Sequence, residues 1–76
     1  MPSNHPTLEQ FGRRVRERRE DIELSQEQLA ERADLHRTYI SSVEQGRRNL
    51  ALRNIVKLAQ ALELDPSELV RGLTWD

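Results

Sequence analysis

The side chains best suited to chemistry in this sequence fall on one face of a short segment with a helical pattern. Ile40 and Val43 are spaced to point inward together. The outer face is then left with a donor-rich set: Arg37, Thr38, Tyr39, Ser41 and Ser42. Arginine, hydroxyl and phenol groups bond to base edges and phosphate oxygens, and a helix of this size fits the major groove of DNA. This polar face therefore indicates recognition of double-stranded DNA.

The residue types that enzymes and metal sites use do not form a matching set here. His5 and His36 are the only histidines, and neither has an acidic residue or a cysteine at ligand or triad spacing. The three glycines are isolated, so there is no glycine-rich phosphate loop, and the chain has no cysteine. We therefore predict that the protein is not an enzyme and uses no metal, cofactor or small-molecule ligand.

Two short helices joined by a tight turn are predicted to carry the polar face. They lie in the sequence LSQEQLAERADLHRTYISSVEQGRRNL, from Leu24 to Leu50. Ser25 with Gln28 is a capping-box signature at the start of the first helix. Asp34 begins the turn, and Gly46 ends the second helix, where a left-handed residue is needed. Helices this short are marginal alone, so they must pack against each other and against flanking segments.

The remaining sequence adds three helical segments. Thr7 with Gln10 is another capping-box signature, and Asp65 before Pro66 is a further helix start. Gly12 lies inside the first helix and marks a close contact between helices. The five predicted helices span about Leu8 to Asp21, Gln26 to Ala33, Arg37 to Gln45, Leu52 to Leu62, and Pro66 to Arg71. With no strand pattern, they predict an all-α, compact five-helix orthogonal bundle.

Periodicity also predicts which residues form the core. The apolar positions at helical spacing are Leu8, Phe11, Val15, Leu29, Ala30, Ala33, Leu52, Ile55, Leu58, Ala59 and Leu62. The charged residues of the first helix, Arg13, Arg14, Arg16 and Glu17, are expected to form a solvated face. Residues 1–6 have two prolines and no periodicity, so they are predicted to be a flexible arm before a single domain over residues 7–76.

The length and the charge of the chain limit the size of its core and the kinds of partner it can bind. The chain has 76 residues, of which 36% are hydrophobic and 4% aromatic, so one small aliphatic core is expected and an oligomer interface would add stability. The formal net charge is −1, but eleven of the twelve basic residues are arginine and no acid occurs from Gln45 to Gln60. Such segregated charge fits a DNA-binding protein and also fits an ordinary solvated surface.

The motifs of this chain resemble the Cro/CI-like (XRE) helix-turn-helix regulators of bacteria and phage. The resemblance is carried by LSQEQLA, YISSVEQG and NIVKLAQALELDPSEL, whose order and spacing cover Phe11 to Gly72. The family usually has glycine in the turn and before LSQ. Here Asp34 must take the left-handed conformation, and Glu23 suggests a different C-cap for helix 1. Within the family, the run LHRTYISSVEQGRRNLAL looks most like the controller proteins of restriction–modification systems.

The resemblance implies a lambda-repressor-like fold and a sequence-specific DNA-binding transcriptional regulator. Its motif places base-reading residues at the start of helix 3, here Arg37 and Thr38, with Ser41 and Ser42 one turn later. Contacts to backbone phosphates are expected from Gln26, His36, Tyr39, Arg47, Arg48, Asn49 and Arg53. For Tyr39, a half-buried structural role is the alternative.

The resemblance also implies a structural ion pair, because Arg19 and Glu44 match positions that pair near the ends of helices 1 and 3. Apolar residues beyond what a small core can bury indicate an interface. We predict a two-fold dimer through Val56, Leu69, Val70, Leu73 and Trp75. Its recognition helices would lie about 34 Å apart, to match a pseudo-palindromic operator. Trp75 could instead belong to a disordered end.

One other class of function remains open at this point. An antitoxin or similar protein-interaction module can share this fold, but it would tend to expose apolar residues on helix 3. A transcription regulator would have RNA polymerase as a further partner. The chain has no apolar run of membrane-spanning length and no signal-peptide pattern, so a soluble, cytoplasmic protein without a membrane partner is expected.

Overall fold

The computed structural model describes residues 5–75, which form five helices and no strand. The helices are α1 (Pro6–Asp21), α2 (Gln26–Ala33), α3 (Arg37–Glu44), α4 (Leu52–Ala61) and α5 (Pro66–Val70). The prediction of an all-α fold with five helices is therefore confirmed. The longest of these helices has 16 residues, and none in the described part of the chain is long and apolar enough to cross a membrane.

The start of α1 differs from the prediction, which made Thr7 the N-cap. The helix begins at Pro6, and His5 is the N-cap, with its Nδ1 accepting a hydrogen bond from the Thr7 N–H at 3.1 Å. Proline suits the first helical position because the N–H that it lacks would have no partner there. The Thr7 hydroxyl instead donates to the carbonyl of Thr74. His5 and Pro6 thus belong to the helical domain, and residues 1–4 of the predicted arm lie outside the described residues.

Three helices end in the same way, with an acidic residue in the left-handed conformation followed by a leucine. Glu23, Asp34 and Glu63 have φ of 61°, 56° and 60°. The N–H of the leucine that follows each one donates to a carbonyl five residues earlier, at 2.8–2.9 Å. The expected role of Asp34 is confirmed. The different C-cap suggested for helix 1 is wrong, because Glu23 takes the usual glycine conformation itself.

The core lies where all five helices meet. Its buried residues are Phe11, Val15, Leu29, Ala30, Ala33, Ile40, Val43, Leu58, Ala59, Ala61, Leu62 and Leu69. Most of the predicted apolar stripe is therefore confirmed, but Leu52 is 76% exposed. Leu52 is the first residue of α4 and precedes the turns that reach the core, so its side chain stays in solvent. Leu69 has no exposed surface, which makes it a core residue.

The sequence predicted that the charged residues of α1 form a solvated face, but two arginines of this helix bond to the ends of other helices. Arg14 donates from Nη1 to the carbonyl of Leu69 at 3.3 Å, near the end of α5. Arg18 donates from Nε to the carbonyl of Leu62 at 2.9 Å, at the end of α4. Carbonyls at a helix C-terminus lack backbone partners and carry partial negative charge. A guanidinium there supplies hydrogen-bond donors and also compensates the charge. The prediction is wrong for Arg14, whereas Arg13 and Arg16 are exposed.

The predicted close contact at Gly12 is confirmed. A Cβ at this position would lie 2.2 Å from the carbonyl oxygen of Val43 and 2.9 Å from that of Glu44. The backbone of α1 therefore touches the last turn of α3, and only a residue without a side chain fits between them. The missing side chain of Gly12 thus allows the backbones of α1 and α3 to pack in direct contact.

Replacing Gly12 with alanine should lower the free energy of unfolding by about 2–3 kcal/mol, because α3 must move away from α1 to admit the methyl group. Alanine's better helix propensity, worth about 1 kcal/mol, would offset only part of this loss. Urea denaturation measures the difference. The exposed neighbour serves as control, since Arg13→Ala should change stability by less than about 0.5 kcal/mol. A Gly12→Ala protein as stable as the unaltered chain would rule out the backbone contact.

Candidate nucleic-acid interface

The first turn of α3 exposes the residues predicted to read bases. Arg37 and Thr38 are exposed, while Ile40 and Val43 on the opposite side of the helix are buried. Ser41 and Ser42 are half-buried one turn later, and the Ser41 hydroxyl accepts a hydrogen bond from Gln45 Nε2 at 2.9 Å. The structure thus places all four predicted residues on one short helix, with the two largest donors outermost.

Glu44, in the last turn of α3, is held in a network of charged hydrogen bonds. Arg19 donates from Nε to Glu44 Oε2 at 2.7 Å and from Nη2 to Oε1 at 3.1 Å, a bidentate pair. Its Nη1 donates to the carbonyl of Leu24 at 2.8 Å. The Arg19 side chain is 11% exposed and that of Glu44 3%. The hydrogen bond to Glu44 raises the pKa of Arg19 despite the opposing effect of burial.

The start of α2 is tied to the same carboxylate. Gln26 donates from Nε2 to Glu44 Oε1 at 3.0 Å, so one of its two amide hydrogens points into the protein. Because an amide nitrogen has two hydrogens, the second stays available as a donor. Ser25 and Gln28 form the capping box that the sequence predicted, which fixes the first turn of α2. His36 is the exposed N-cap of α3 and makes no side-chain capping bond.

The loop between α3 and α4 carries the remaining predicted phosphate contacts. Arg47, Arg48 and Asn49 are exposed, as is Arg53 at the second position of α4. Gly46 makes this loop possible with φ of 76°, as predicted.

Tyr39 is half-buried beneath this loop and has two neighbours with polar groups. The guanidinium carbon of Arg48 lies 5.3 Å from the centre of its ring, within the range of a cation–π contact. Asn54, on α4, donates from Nδ2 to the Tyr39 hydroxyl oxygen at 3.1 Å. Asn54 was not found from the sequence, because it is 15 residues away from Tyr39 and no local pattern links the two.

The residues predicted to form a dimer interface do not all lie at the surface. Leu69 is completely buried within its own chain, so its assignment to the interface is wrong. Val70 is 41% exposed, Val56 and Leu73 are half-buried, and Leu52, which the prediction omitted from this set, is largely exposed.

The end of the described chain is hydrogen-bonded to α1. Gln10 donates from Nε2 to the Thr74 hydroxyl at 2.7 Å and accepts the Thr74 N–H at 3.3 Å. The rings of His5 and Trp75 have centroids 4.3 Å apart, although Trp75 remains 79% exposed. This segment therefore presents an aromatic ring at a defined place on the surface.

Replacing Glu44 with alanine should lower the free energy of unfolding by about 3–5 kcal/mol, because the change leaves Arg19 buried without its partner. Thermal unfolding followed by circular dichroism measures the loss. Glu63→Ala is the matched control, since Glu63 pairs with Arg32 at 3.4 Å between exposed side chains and does not contact Arg19. That surface pair should contribute less than about 1 kcal/mol. Equal effects of the two substitutions would contradict the structural role of Glu44.

Comparisons with known proteins agree with this geometry. A helix-turn-helix family model matches residues 15–69. The control protein C.BamHI of Bacillus amyloliquefaciens is 49% identical over 61 residues, which cover 79% of this chain and 75% of that protein. C.MunI, a control protein of a Mycoplasma species, is 45% identical over 60 residues, covering 78% of this chain and 81% of that protein.

Solved structures show the same similarity. The restriction-modification controller protein C.AhdI from Aeromonas hydrophila superimposes with a TM-score of 0.80 and 52% identity, covering 82% of this chain and 94% of that one. C.Esp1396I bound to a 19 base pair DNA duplex superimposes with a TM-score of 0.79 and 28% identity, covering 88% of this chain and 89% of that one. This chain therefore belongs to the helix-turn-helix family and, within it, to the control proteins of restriction–modification systems.

Proposed function

We propose that this chain is a sequence-specific DNA-binding transcription regulator that inserts α3 into the major groove of its operator. The exposed first turn of α3 carries the proposal, because Arg37 and Thr38 project from a helix whose last turn is fixed by Gly12 and Glu44. A rigidly held row of donors can distinguish one base sequence from another. One structural neighbour, C.Esp1396I, has been solved with duplex DNA, which supports duplex DNA as the ligand here.

The interface divides into residues that read bases and residues that position the protein. Arg37 is suited to the O6 and N7 acceptors of guanine, and Thr38 to a thymine methyl or a base edge. Ser41 and Ser42 lie one turn further along α3 and are less exposed. The flanking set contacts backbone phosphates: Gln26, His36, Tyr39, Arg47, Arg48, Asn49 and Arg53. Gln26 does so with the amide hydrogen that Glu44 does not occupy.

We propose further that the regulator binds as a two-fold dimer through its exposed and half-buried apolar residues on α4, on α5 and after α5. These residues are Leu52, Val56, Val70, Leu73 and Trp75, and Leu69 lies in the core. A two-fold dimer presents two copies of α3 to successive turns of the major groove, about 34 Å apart, which suits a pseudo-palindromic operator.

The other expected properties follow from this role. A regulator of transcription acts in the cytoplasm and has RNA polymerase as a further partner, and it needs no catalytic activity of its own. The alternative of a protein-interaction module finds little support on α3, whose exposed residues are polar and charged. The exposed large apolar residues of the described chain do not lie on α3 but on α4, on α5 and in the segment after α5.

Two substitutions separate base reading from phosphate binding. A duplex of about 20 base pairs, long enough for two half-sites, is first selected from a random library with the unaltered chain. Arg37→Ala should weaken binding to this selected duplex by about 1–3 kcal/mol per guanine contact and relax the preference at that position. Arg47→Ala should weaken binding to every sequence alike and reduce the salt slope by about 0.9 for each protomer, or about 1.8 for the bound dimer. Electrophoretic mobility shifts at several salt concentrations measure both. Failure to select any preferred sequence would contradict the proposal.

Replacing Leu52 with glutamate tests the dimer, because a charge in the apolar surface should keep two chains apart while leaving each fold intact. Light scattering at tens of micromolar should show a dimer for the unaltered chain and a monomer for Leu52→Glu. Gln60→Glu is the control, since it adds the same charge at an exposed position at the other end of α4 and should remain dimeric. A monomeric unaltered chain would contradict the dimer.

A further inference from the structure

The hydrogen bond between Asn54 and Tyr39 joins α4 to α3, two helices that pack mainly against other helices. Helix α3 packs against α1 and α2, whereas α4 packs against α2 and α5. Asn54 reaches across from the first turn of α4 and donates its amide hydrogen to the phenol oxygen of Tyr39 at 3.1 Å. This bond is partly buried, at the edge of the surface that carries Arg48 and Arg53.

The direction of this bond determines what the phenol can do. A phenol has one hydrogen to donate and can also accept. Because Asn54 donates to the Tyr39 oxygen, the phenolic hydrogen cannot point toward Asn54 and is directed to another acceptor. An accepted hydrogen bond also polarises the O–H group and strengthens it as a donor.

A cation lies beside this donor. The Arg48 guanidinium stands 5.3 Å from the centre of the Tyr39 ring, and the ring face holds it there by a cation–π contact. The phenolic O–H and the guanidinium N–H groups thus belong to one cluster, formed by α3, the loop after it and α4. A phenol and a guanidinium in one cluster are both suited to donate to the free oxygens of a phosphodiester group.

We propose that Asn54 is a positioning residue, which holds the Tyr39 hydroxyl as a hydrogen-bond donor to a backbone phosphodiester of the DNA. The inference rests on the proposed function, because the phosphodiester belongs to the operator. Asn54 contributes to DNA affinity through Tyr39 alone. Arg48 adds its charge independently.

A double-mutant cycle with the selected duplex tests this coupling. Tyr39→Phe removes the hydroxyl and should weaken binding about tenfold for each protomer, as expected for a hydrogen bond to a charged group. Asn54→Ala should weaken binding several-fold in the unaltered chain but leave the affinity of Tyr39→Phe unchanged. Neither change should alter the salt slope, because no charge is lost, whereas Arg48→Ala should reduce it by about 0.9 for each protomer, or about 1.8 for the bound dimer.

A third substitution tests the direction of the hydrogen bond. Asn54→Asp replaces the amide donor with a group that only accepts, so the phenolic hydrogen should turn toward it and away from the DNA. Asn54→Asp should therefore weaken binding more than Asn54→Ala does. The same substitution in the Tyr39→Phe protein measures the effect of the added charge alone, and the difference belongs to the hydroxyl. Gln60→Ala, at an exposed position of α4, should bind as the unaltered chain does.

The melting temperature of each variant, together with its affinity, decides between this role and a purely structural one. If Asn54→Ala weakens binding equally with and without the Tyr39 hydroxyl, Asn54 does not act through Tyr39 and the inference is wrong. It is also wrong if Tyr39→Phe binds as tightly as the unaltered chain. In both cases the unaltered chain would still select and bind its duplex, so the proposed regulator function would stand. Absence of any specific binding would overturn that function instead.

Discussion

The position of α3 depends on how its last turn is held. An eight-residue helix is not stable by itself, and its orientation must come from its neighbours. Here the Gly12 contact brings α1 against the carbonyls of Val43 and Glu44. The Glu44 carboxylate then receives Arg19 from α1 and Gln26 from α2. Because these contacts are at the end of α3, they hold the helix while Arg37 and Thr38 in its first turn remain exposed.

Seven of the eleven arginines fall into two groups, which explain how a chain with a net charge of −1 can carry a surface for a polyanion. Arg14, Arg18 and Arg19 of α1 donate to backbone carbonyls, and Arg19 also pairs with Glu44. A second group remains exposed on α3, on the loop after it and at the start of α4: Arg37, Arg47, Arg48 and Arg53. The field that a DNA duplex would meet comes from this second group, since the sum over the chain says nothing about where the charges lie.

Features set by neighbouring residues could be predicted from the sequence, and features set by distant ones could not. The capping box at Ser25, the left-handed Asp34 and the turn at Gly46 depend on a few adjacent residues, so the helices of the motif were predicted closely. The start of α1 was missed because a histidine ring is an uncommon N-cap, while Thr7 offered a commoner pattern.

The errors in side-chain roles have a different origin. Arg14 was assigned to the solvated surface and Leu69 to the dimer interface, and both assignments were wrong. The environment of each side chain depends on residues that are distant in sequence and that only the fold brings near. The same limit applies to the Asn54–Tyr39 bond, which joins two helices across 15 residues of chain. Only the assembled structure can show it.

Helix α1 connects the two surfaces on which the proposed function depends. Its middle and end hold α3 through Gly12 and Arg19, and its first turns hold the segment after α5 through Gln10. If the dimer interface lies near that segment, the distance from the interface to α3 would therefore be the same in each protomer and would be fixed by α1. Since half-sites on DNA are spaced by whole helical turns, about 34 Å apart, such a fixed distance is what a regulator needs to bind one operator spacing and reject others. In the proposed dimer, the contacts of α1 with both regions would therefore link the dimer interface to the operator spacing that the protein binds.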